Sequence, residues 1–206
     1  MTRQRVVQKA PPDELDGFPE RIHDGIVFRA ARVSPWWFCN CGHCRFDLEA
    51  AGTGQGTLYA GTDEITGVLE TIGPELIGRT IARGFLDSRT VWGLAYDRPV
   101  FIADLTADEA VGFGVTNELS TMVPYGIPQL WADAFEQHGL DGISYRTRFN
   151  TGAEATGVAL FDVAGDHTDG PASRVRGMND SVMVTELNRR HVTVEDPPAL
   201  VALTVL

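Results

Sequence analysis

The stretch Trp36–Glu70, WWFCNCGHCRFDLEAAGTGQGTLYAGTDEITGVLE, decides the fold of this chain and carries most of its candidate chemistry. It begins with a cysteine-rich segment that contains Cys39, Cys41 and Cys44. A glycine-rich segment follows, then a short run of strand type, and last a helical run that ends near Glu70. Because glycine allows backbone conformations that other residues rarely adopt, the first two segments are predicted to be irregular.

The C-terminal part of this stretch predicts a strand followed by an amphipathic helix. Residues 57–60 form the strand run, and Thr62 is expected to cap the helix, ahead of two acidic residues that favour its positive end. The apolar face of the helix follows at helical spacing and consists of Ile65, Val68, Leu69 and Ile72. At about 100° per residue, Glu70 points away from that face, so it is predicted to lie in solvent or to line a cleft.

The flanking sequence predicts a short arm and one main domain. Residues 1–20 are polar, contain three prolines and show no periodicity. They are predicted to form an N-terminal arm that packs on a partner subunit, which makes a homo-oligomer the expected state. Residues 21–206 are predicted to form the main domain. A chain of 206 residues is long enough to bury one sizeable core.

The main domain is predicted to be of the α+β class, because its strands are too irregularly spaced for βαβ units. Beyond the stretch quoted above, the predicted strands are residues 26–33, 90–95, 99–105, 142–148 and 157–163. The second and third of these are expected to pair through the connection 96–98, and two or three short strand runs are expected within 181–206. A helix that begins at Pro128 is predicted to face inward through Leu130, Trp131, Ala134, Phe135 and His138.

Composition excludes several classes of function. The net charge is −11, and no run of more than two consecutive Lys or Arg occurs, so direct binding of nucleic acid is not expected. No apolar run approaches the roughly 18 residues that span a bilayer. The first residues lack the apolar core of a secretory signal, so a cytoplasmic location and no membrane contact are predicted. The three cysteines are an odd number within one short segment, which fits a reducing compartment.

The cysteine-rich segment raises the question of a metal. Cys39, Cys41 and Cys44, with His43 between them, are on paper enough ligands for tetrahedral zinc. Structural zinc sites, however, usually take two ligand pairs that lie far apart in the sequence, and no second pair occurs here. The sequence therefore predicts no metal site and three buried or half-buried thiols.

Several arginines, aromatic residues and one carboxylate support a sharper hypothesis. They are Arg29, Arg32, Arg45, Tyr59, Glu70, Tyr145 and Arg148. Singly, each fits an ordinary structural role, since strand arginines reach solvent and tyrosines fill cores. Together, guanidinium groups match phosphate oxygens, an aromatic face stacks on a flat base, and a carboxylate stabilises an oxocarbenium-like transition state. A pyridine dinucleotide combines these parts, and its nicotinamide leaves uncharged without a general acid.

The order of motifs along the chain resembles the RES domain family, which supplies the toxins of RES/Xre toxin–antitoxin pairs. The resemblance runs from about residue 25 to residue 163. It rests on Phe28-Arg29, Arg45-Phe46-Asp47, Thr57-Leu58-Tyr59-Ala60, the helix that ends in Glu70, Asp141-Gly142-Ile143-Ser144-Tyr145-Arg146-Thr147-Arg148 and Ala159-Leu160-Phe161-Asp162. A serine of the family pattern is replaced by Thr147, with Ser144 as the alternative, and the cysteine-rich segment stands where relatives have a Gly-Gly-Arg turn.

This resemblance implies a fold like that of ADP-ribosyltransferases, with small mixed and antiparallel sheets flanked by helices. It implies cleavage of NAD at the nicotinamide–ribose bond, by phosphorolysis or hydrolysis. NAD would be the substrate, phosphate a co-substrate in the first case, and no further cofactor would be required. An Xre-type helix-turn-helix antitoxin would be the partner. Two other functions stay open: ADP-ribosyl transfer to a macromolecule, and a non-catalytic domain that binds a nucleotide or a partner.

The resemblance also assigns roles to residues. The implied catalytic residues are Glu70, Arg29, Tyr59 and Thr147, and the implied NAD-binding residues are Arg29, Arg45, Tyr59, Glu70, Tyr145 and Arg148. Arg29 and Arg45 would hold the phosphates, Tyr59 would stack near the nicotinamide, and Glu70 would steady the ribose and the developing cation.

Overall fold

A curled, eight-stranded mixed sheet forms the centre of the molecule in the computed structural model, which describes residues 7–48, 54–76, 78–150, 152, 154–166 and 170–197. The strands are β1 (Glu20–His23), β2 (Ile26–Ala31), β3 (Trp37–Phe38), β4 (Gln55–Gly61), β5 (Thr80–Ala82), β6 (Thr90–Ala95), β7 (Val100–Asp104), β8 (Gly142–Arg146), β9 (Thr156–Val163), β10 (Gly165–Asp166), β11 (Ala172–Gly177) and β12 (Thr193–Glu195). The helices are α1 (Glu64–Ile72), α2 (Arg83–Asp87), α3 (Gly126–Gln137) and α4 (Ser181–Arg189), with short 3-10 helices at Gly73–Glu75, Asp108–Phe113 and Asn117–Ser120. The predicted α+β class, with a mixed sheet flanked by helices, is confirmed.

The strand order of the main sheet is β1-β7-β8-β9-β4-β2-β6-β11, and two small sheets pair β10 with β3 and β12 with β5. Strands β6 and β7 exist as predicted, but the prediction that they pair was wrong: β6 pairs with β2 and β11, and β7 with β1 and β8. Leu94 of β6 and Val100 of β7 nevertheless share one buried cluster. The sheet therefore curls so that its two halves face each other, and residues 96–98 connect the halves across that core.

Helix α1 lies unusually close to the sheet. Asp63, and not Thr62 as predicted, is its N-cap, because the Asp63 carboxylate accepts a hydrogen bond from the backbone N–H of Thr66. Two glycines permit the close approach: a Cβ added at Gly67 would lie 2.1 Å from the carbonyl oxygen of Phe28, and one at Gly61 would lie 2.3 Å from the backbone nitrogen of Gly67. The helix is thus seated on the backbone of β2 and β4, which places its C-terminal half beside β2.

Helix α3 buries a different face from the one predicted. Trp131 and Phe135 are fully buried as expected, but Leu130 is 47% exposed and His138 lies beyond the helix as an exposed C-cap. Gln129 is buried instead, because its side-chain amide donates to the backbone carbonyls of Gly42 and Cys44. The spacing of apolar residues does not predict a buried polar residue whose partners are distant in sequence. The burial of Gln129 therefore makes the buried face of α3 differ from the predicted apolar face.

The C-terminal part forms a helix where short strand runs were predicted. Asp180 caps α4 by accepting from the backbone N–H of Val182, and Met183 and Leu187, one turn apart, are buried beneath it. Strand β12 follows and pairs in parallel with β5. The N-cap and the helical spacing of the two apolar residues favour a helix more strongly than the β-branched residues of this segment favour a strand. The predicted strand runs within 198–206 lie outside the described residues.

The N-terminal residues 7–19 pack on the chain's own core. Leu15 and Phe18 are buried, and the Phe18 ring lies 4.7 Å from the ring of Phe135, centroid to centroid. Trp131 donates through its indole N–H to the carbonyl of Lys9. Among the described residues, no helix is both long enough and apolar enough to cross a bilayer.

Candidate active site

One cleft gathers most of the residues that the sequence singled out. It has a volume of about 670 Å³, within the roughly 300–1,000 Å³ typical of ligand sites. Its walls come from β2, the C-terminal half of α1, the cysteine-rich loop, the residue before α3 and the segment after β8. The described lining residues are Arg29, Ala30, His43, Cys44, Arg45, Tyr59, Glu70, Thr71, Gly73, Pro74, Leu76, Tyr125, Arg148 and Phe149.

Glu70 is the only carboxylate among the described residues of the cleft lining. Its Oε2 accepts a hydrogen bond of 2.7 Å from the Tyr145 hydroxyl, whereas its buried Oε1 has no hydrogen-bond partner among the described residues. Burial raises the pKa of Glu70, although the Tyr145 hydrogen bond and the positive charge of Arg45 oppose that rise. The result is a carboxylate held at one oxygen, with the other oxygen unpartnered among the described residues. The predicted position in a cleft is confirmed.

Arg29 and Arg45 bring positive charge to the cleft without a carboxylate partner among the described residues. One terminal nitrogen of Arg29 donates to the carbonyls of Pro35 (3.1 Å) and Trp37 (2.7 Å), which fixes the side chain but leaves its charge uncompensated. Burial lowers the pKa of Arg29 to about 10. Arg45 is only 7% exposed, and its guanidinium carbon lies 5.8 Å from the ring centroid of Tyr125. The Nε of Arg45 is buried and unpartnered within the described chain. Both side chains are therefore suited to an anion.

Tyr59 presents its ring to the cleft and commits its hydroxyl elsewhere. The hydroxyl donates to Oδ1 of Asp47 (3.2 Å) and accepts from the backbone N–H of Phe46 (2.7 Å). Burial, followed by the charge of Asp47, raises the pKa of Tyr59 well above its ordinary value. Tyr59 is therefore neutral and oriented, which allows its ring to stack on a ligand but does not make it a base.

Of the remaining predicted site residues, only Arg148 lines the cleft. Tyr145 is fully buried behind Glu70, and burial raises its pKa, so it contacts the carboxylate and not the cleft space. The Thr147 hydroxyl donates to the carbonyl of Asn150 and accepts from its N–H, so it holds the turn after β8. The alternative, Ser144, is buried in β8 with an unpartnered Oγ in the described structure and lies outside the cleft lining.

The structure adds residues that sequence reasoning missed. Tyr125 and Phe149 line the cleft, and each lies near the guanidinium of an arginine, Arg45 and Arg148 respectively. Phe149 is adjacent to Arg148 in the sequence, which was a usable signal, but Tyr125 lies in a stretch without periodicity. Arg32, by contrast, is exposed and does not line the cleft.

The cysteine-rich loop forms one side of the cleft and places three donor groups together. Sγ of Cys39, Sγ of Cys41 and a carboxylate oxygen of Asp47 all lie within 4.8 Å of one another. Burial raises the pKa of Cys39 to about 11 and also raises that of Cys44, so both side chains are thiols in the metal-free chain. Asp47, which the sequence reasoning treated only as part of a motif, is fully buried at the centre of this loop.

Comparison with known proteins identifies a family and agrees with the fold. The family model described as RES domain matches residues 19–177, which is most of the chain. A comparison with curated proteins gives no match. Among solved structures, a chain of the M. tuberculosis MbcT–MbcA toxin–antitoxin complex superposes with a TM-score of 0.54 at 12% sequence identity, covering 79% of this chain and 90% of that chain. At this identity the likeness shows the fold alone.

Proposed function

Because this chain belongs to the RES domain family, we propose that it degrades NAD by cleaving the nicotinamide–ribose bond and that it is the toxin of a toxin–antitoxin pair. One observation carries the proposal: a single cleft is lined by Arg29, Arg45 and Arg148 and by one carboxylate, Glu70. NAD has a diphosphate, two riboses and a cationic base, and these features match the charges of the cleft.

The arginines supply the anion-binding part. A chain with a net charge of −11 repels a dinucleotide in general, so binding requires a local concentration of positive charge. Arg29 and Arg45 are partly or largely buried, where a charge–phosphate contact is screened less than at the surface. We assign these two residues to the diphosphate and Arg148, which is exposed at the rim of the cleft, to its outer end.

Glu70 supplies the catalytic part. As the bond between the ribose C1 and the pyridinium nitrogen breaks, the nitrogen keeps the electron pair and nicotinamide leaves uncharged, while positive charge develops on the ribose. Because the positive charge on the ribose develops only as the bond breaks, a carboxylate beside it stabilises the transition state more than the ground state. Glu70 is largely buried, so this attraction is screened less than it would be in water. Tyr145 is a positioning residue, since its hydroxyl fixes the carboxylate.

The reaction closes when an acceptor oxygen bonds to the ribose C1. With phosphate the product is the ADP-ribose phosphate ester, and with water it is ADP-ribose; in both cases the proton of the acceptor oxygen passes to solvent. Tyr59 has its hydroxyl committed to Asp47, so its ring serves as a stacking surface for the base. NAD is the substrate and no other cofactor is needed in this scheme.

The fold match to a chain of a toxin–antitoxin complex supports the proposed partner. A toxin of this kind needs an inhibitor that keeps NAD out of the cleft while the protein is stored in the cell. An antitoxin of the Xre helix-turn-helix type, and a cytoplasmic location where NAD is available, complete the proposal.

The decisive experiment measures nicotinamide release from NAD by the purified chain, with and without inorganic phosphate. We expect release by the wild type, and a rate about 100-fold lower for Glu70→Gln, the scale of losing one transition-state electrostatic contact. Arg148→Ala should raise KM, whereas Arg32→Ala is the matched control, since it removes an arginine that does not line the cleft. The proposal fails if NAD binds without release, or if labelled ADP-ribose transfers to protein or nucleic acid and not to phosphate or water.

A further inference from the structure

We propose that Cys39, Cys41, Cys44 and Asp47 form a zinc site that fixes the loop on one side of the cleft. The sequence predicted no metal because the cysteines are close together and a second ligand pair is lacking. The structure supplies a ligand of a different chemical type, the carboxylate of Asp47, and this changes the conclusion. The inference is independent of the NAD chemistry proposed above.

Two of the distances between donor atoms fit tetrahedral zinc. Sγ of Cys41 lies 3.9 Å from Sγ of Cys44 and 3.3 Å from Oδ2 of Asp47. Zinc–sulfur bonds of about 2.3 Å in a tetrahedron place two sulfur atoms about 3.8 Å apart, and a sulfur and an oxygen about 3.5 Å apart. Cys39, Cys41 and Asp47 have their donor atoms within 4.8 Å of one another. Cys44 lies outside this group of three, and rotation of its side chain would bring its Sγ in as the fourth ligand.

The surroundings hold the ligands in place, as the shell around a metal site does. Cys39 is tied to Thr57 of β4 by two backbone hydrogen bonds of 2.9 and 2.7 Å. Asp47 accepts from the hydroxyl of Tyr59 and from the backbone N–H of Cys44. Gln129 donates to the carbonyl of Cys44 from helix α3. Contacts with strand β4 and helix α3 thus hold the backbone of the loop and the carboxylate of Asp47 in place before any metal binds.

Charge also favours a cation at this position. Asp47 is fully buried, and no ion pair to it occurs among the described residues. A buried carboxylate without a cationic partner is costly, and a divalent ion would supply that partner. Thiolate ligands select zinc over hard cations such as magnesium or calcium. Cys41 is exposed, which leaves an entry path for the ion. Binding releases the thiol protons to the buffer.

Such an ion would act on the cleft through the loop that forms one of its walls. His43, Cys44 and Arg45 all line the cleft and belong to this loop. Arg45 lies between Cys44 and Asp47 in the sequence. An ion bound to both of these residues would restrict the backbone at Arg45 and therefore the positions open to its guanidinium. The site is therefore a structural zinc centre that orders a wall of the cleft.

The test measures metal content directly in the full chain, purified without chelating resins and equilibrated with zinc. We expect about one zinc ion per chain after gel filtration. Cobalt in its place should give thiolate charge-transfer absorption and the intense visible bands of a tetrahedral ion. Asp47→Asn and Cys41→Ser should lower zinc affinity at least about tenfold. His43→Asn is the matched control: it removes a loop donor outside the proposed ligand set and should retain zinc.

Three outcomes would overturn the proposal. The first is wild-type protein that holds no zinc and titrates three free thiols. The second is a disulfide between Cys41 and Cys44 in protein prepared under nitrogen. The third is equal loss of zinc in His43→Asn and Asp47→Asn. Circular dichroism of each variant separates loss of zinc from loss of fold, and the cobalt spectrum of the wild type tests the ligand set without any substitution.

Discussion

Replacing Gly67 by alanine is expected to unseat helix α1 from the sheet. The added Cβ would lie 2.1 Å from the carbonyl oxygen of Phe28 and 2.6 Å from its carbonyl carbon, and both are backbone atoms that cannot rotate away. To restore an ordinary contact, the helix must move by about 1 Å, which disturbs a close-packed layer. Overpacking of this kind costs about 1–3 kcal/mol, whereas alanine in a helix gains about 1 kcal/mol over glycine. The difference is a net loss of up to about 2 kcal/mol, and we expect the upper end because every atom that the Cβ would meet belongs to the backbone of β2.

Urea denaturation measures this loss, and Gly84→Ala is the matched control. Gly84 lies in α2, and a Cβ there would meet nothing within 4 Å, so the same substitution should be neutral or should stabilise by up to about 1 kcal/mol. Because Glu70 lies one turn after Gly67 on α1, Gly67→Ala should also lower NAD cleavage more than its stability loss explains. If the two variants unfold at the same urea concentration, helix α1 does not lie as close to β2 as described here.

Two further predictions concern the buried pair behind the cleft. Tyr145→Phe removes the hydrogen bond that lowers the pKa of Glu70, so this pKa should rise. The acid limb of the pH profile of kcat/KM for NAD should therefore move to higher pH. An acid limb at the same pH as in the wild type would contradict the positioning role of Tyr145. Burial raises the pKa of Glu70 in the folded state, so ionised Glu70 destabilises the folded protein at pH values above that raised pKa. Below the pKa of glutamate in the unfolded chain, about 4.3, Glu70 is protonated in both states and this destabilisation is absent. Glu70→Gln should therefore be more stable than the wild type near pH 8 and about equal near pH 4 in guanidinium denaturation; lower stability at the higher pH would argue against a buried carboxylate.

Much of the site was predictable because its residues lie in locally recognisable runs. The apolar spacing of Ile65, Val68 and Leu69 predicted the helix, and the angle of Glu70 to that face predicted a cleft or solvent position. The order of short motifs suggested that Arg29, Arg45, Tyr59 and Glu70 act together, and the structure places all four in one cleft. Their individual roles stay predictions until NAD cleavage is measured.

Residues with long-range partners could not be predicted in this way. The carboxylate of Asp47 accepts a hydrogen bond from the hydroxyl of Tyr59 in strand β4, and no local spacing signals that contact. Gln129 is buried only because the carbonyls of the cysteine-rich loop lie beside α3. Tyr145 was expected to bind the ligand, but it lies fully buried behind Glu70.

The sequence by itself determined the α+β class, most strand and helix positions, and the side of α1 on which Glu70 lies. These features follow from side-chain periodicity and turn residues within about ten positions of one another. Only the tertiary structure decided that β6 and β7 lie apart in the sheet, that α1 rests through Gly67 on the backbone of β2, and that the hydroxyl of Tyr145 meets the carboxylate of Glu70 behind the cleft. The physical reason is that strand order and the curl of the sheet bring together side chains distant in sequence, and a local pattern holds no record of those contacts.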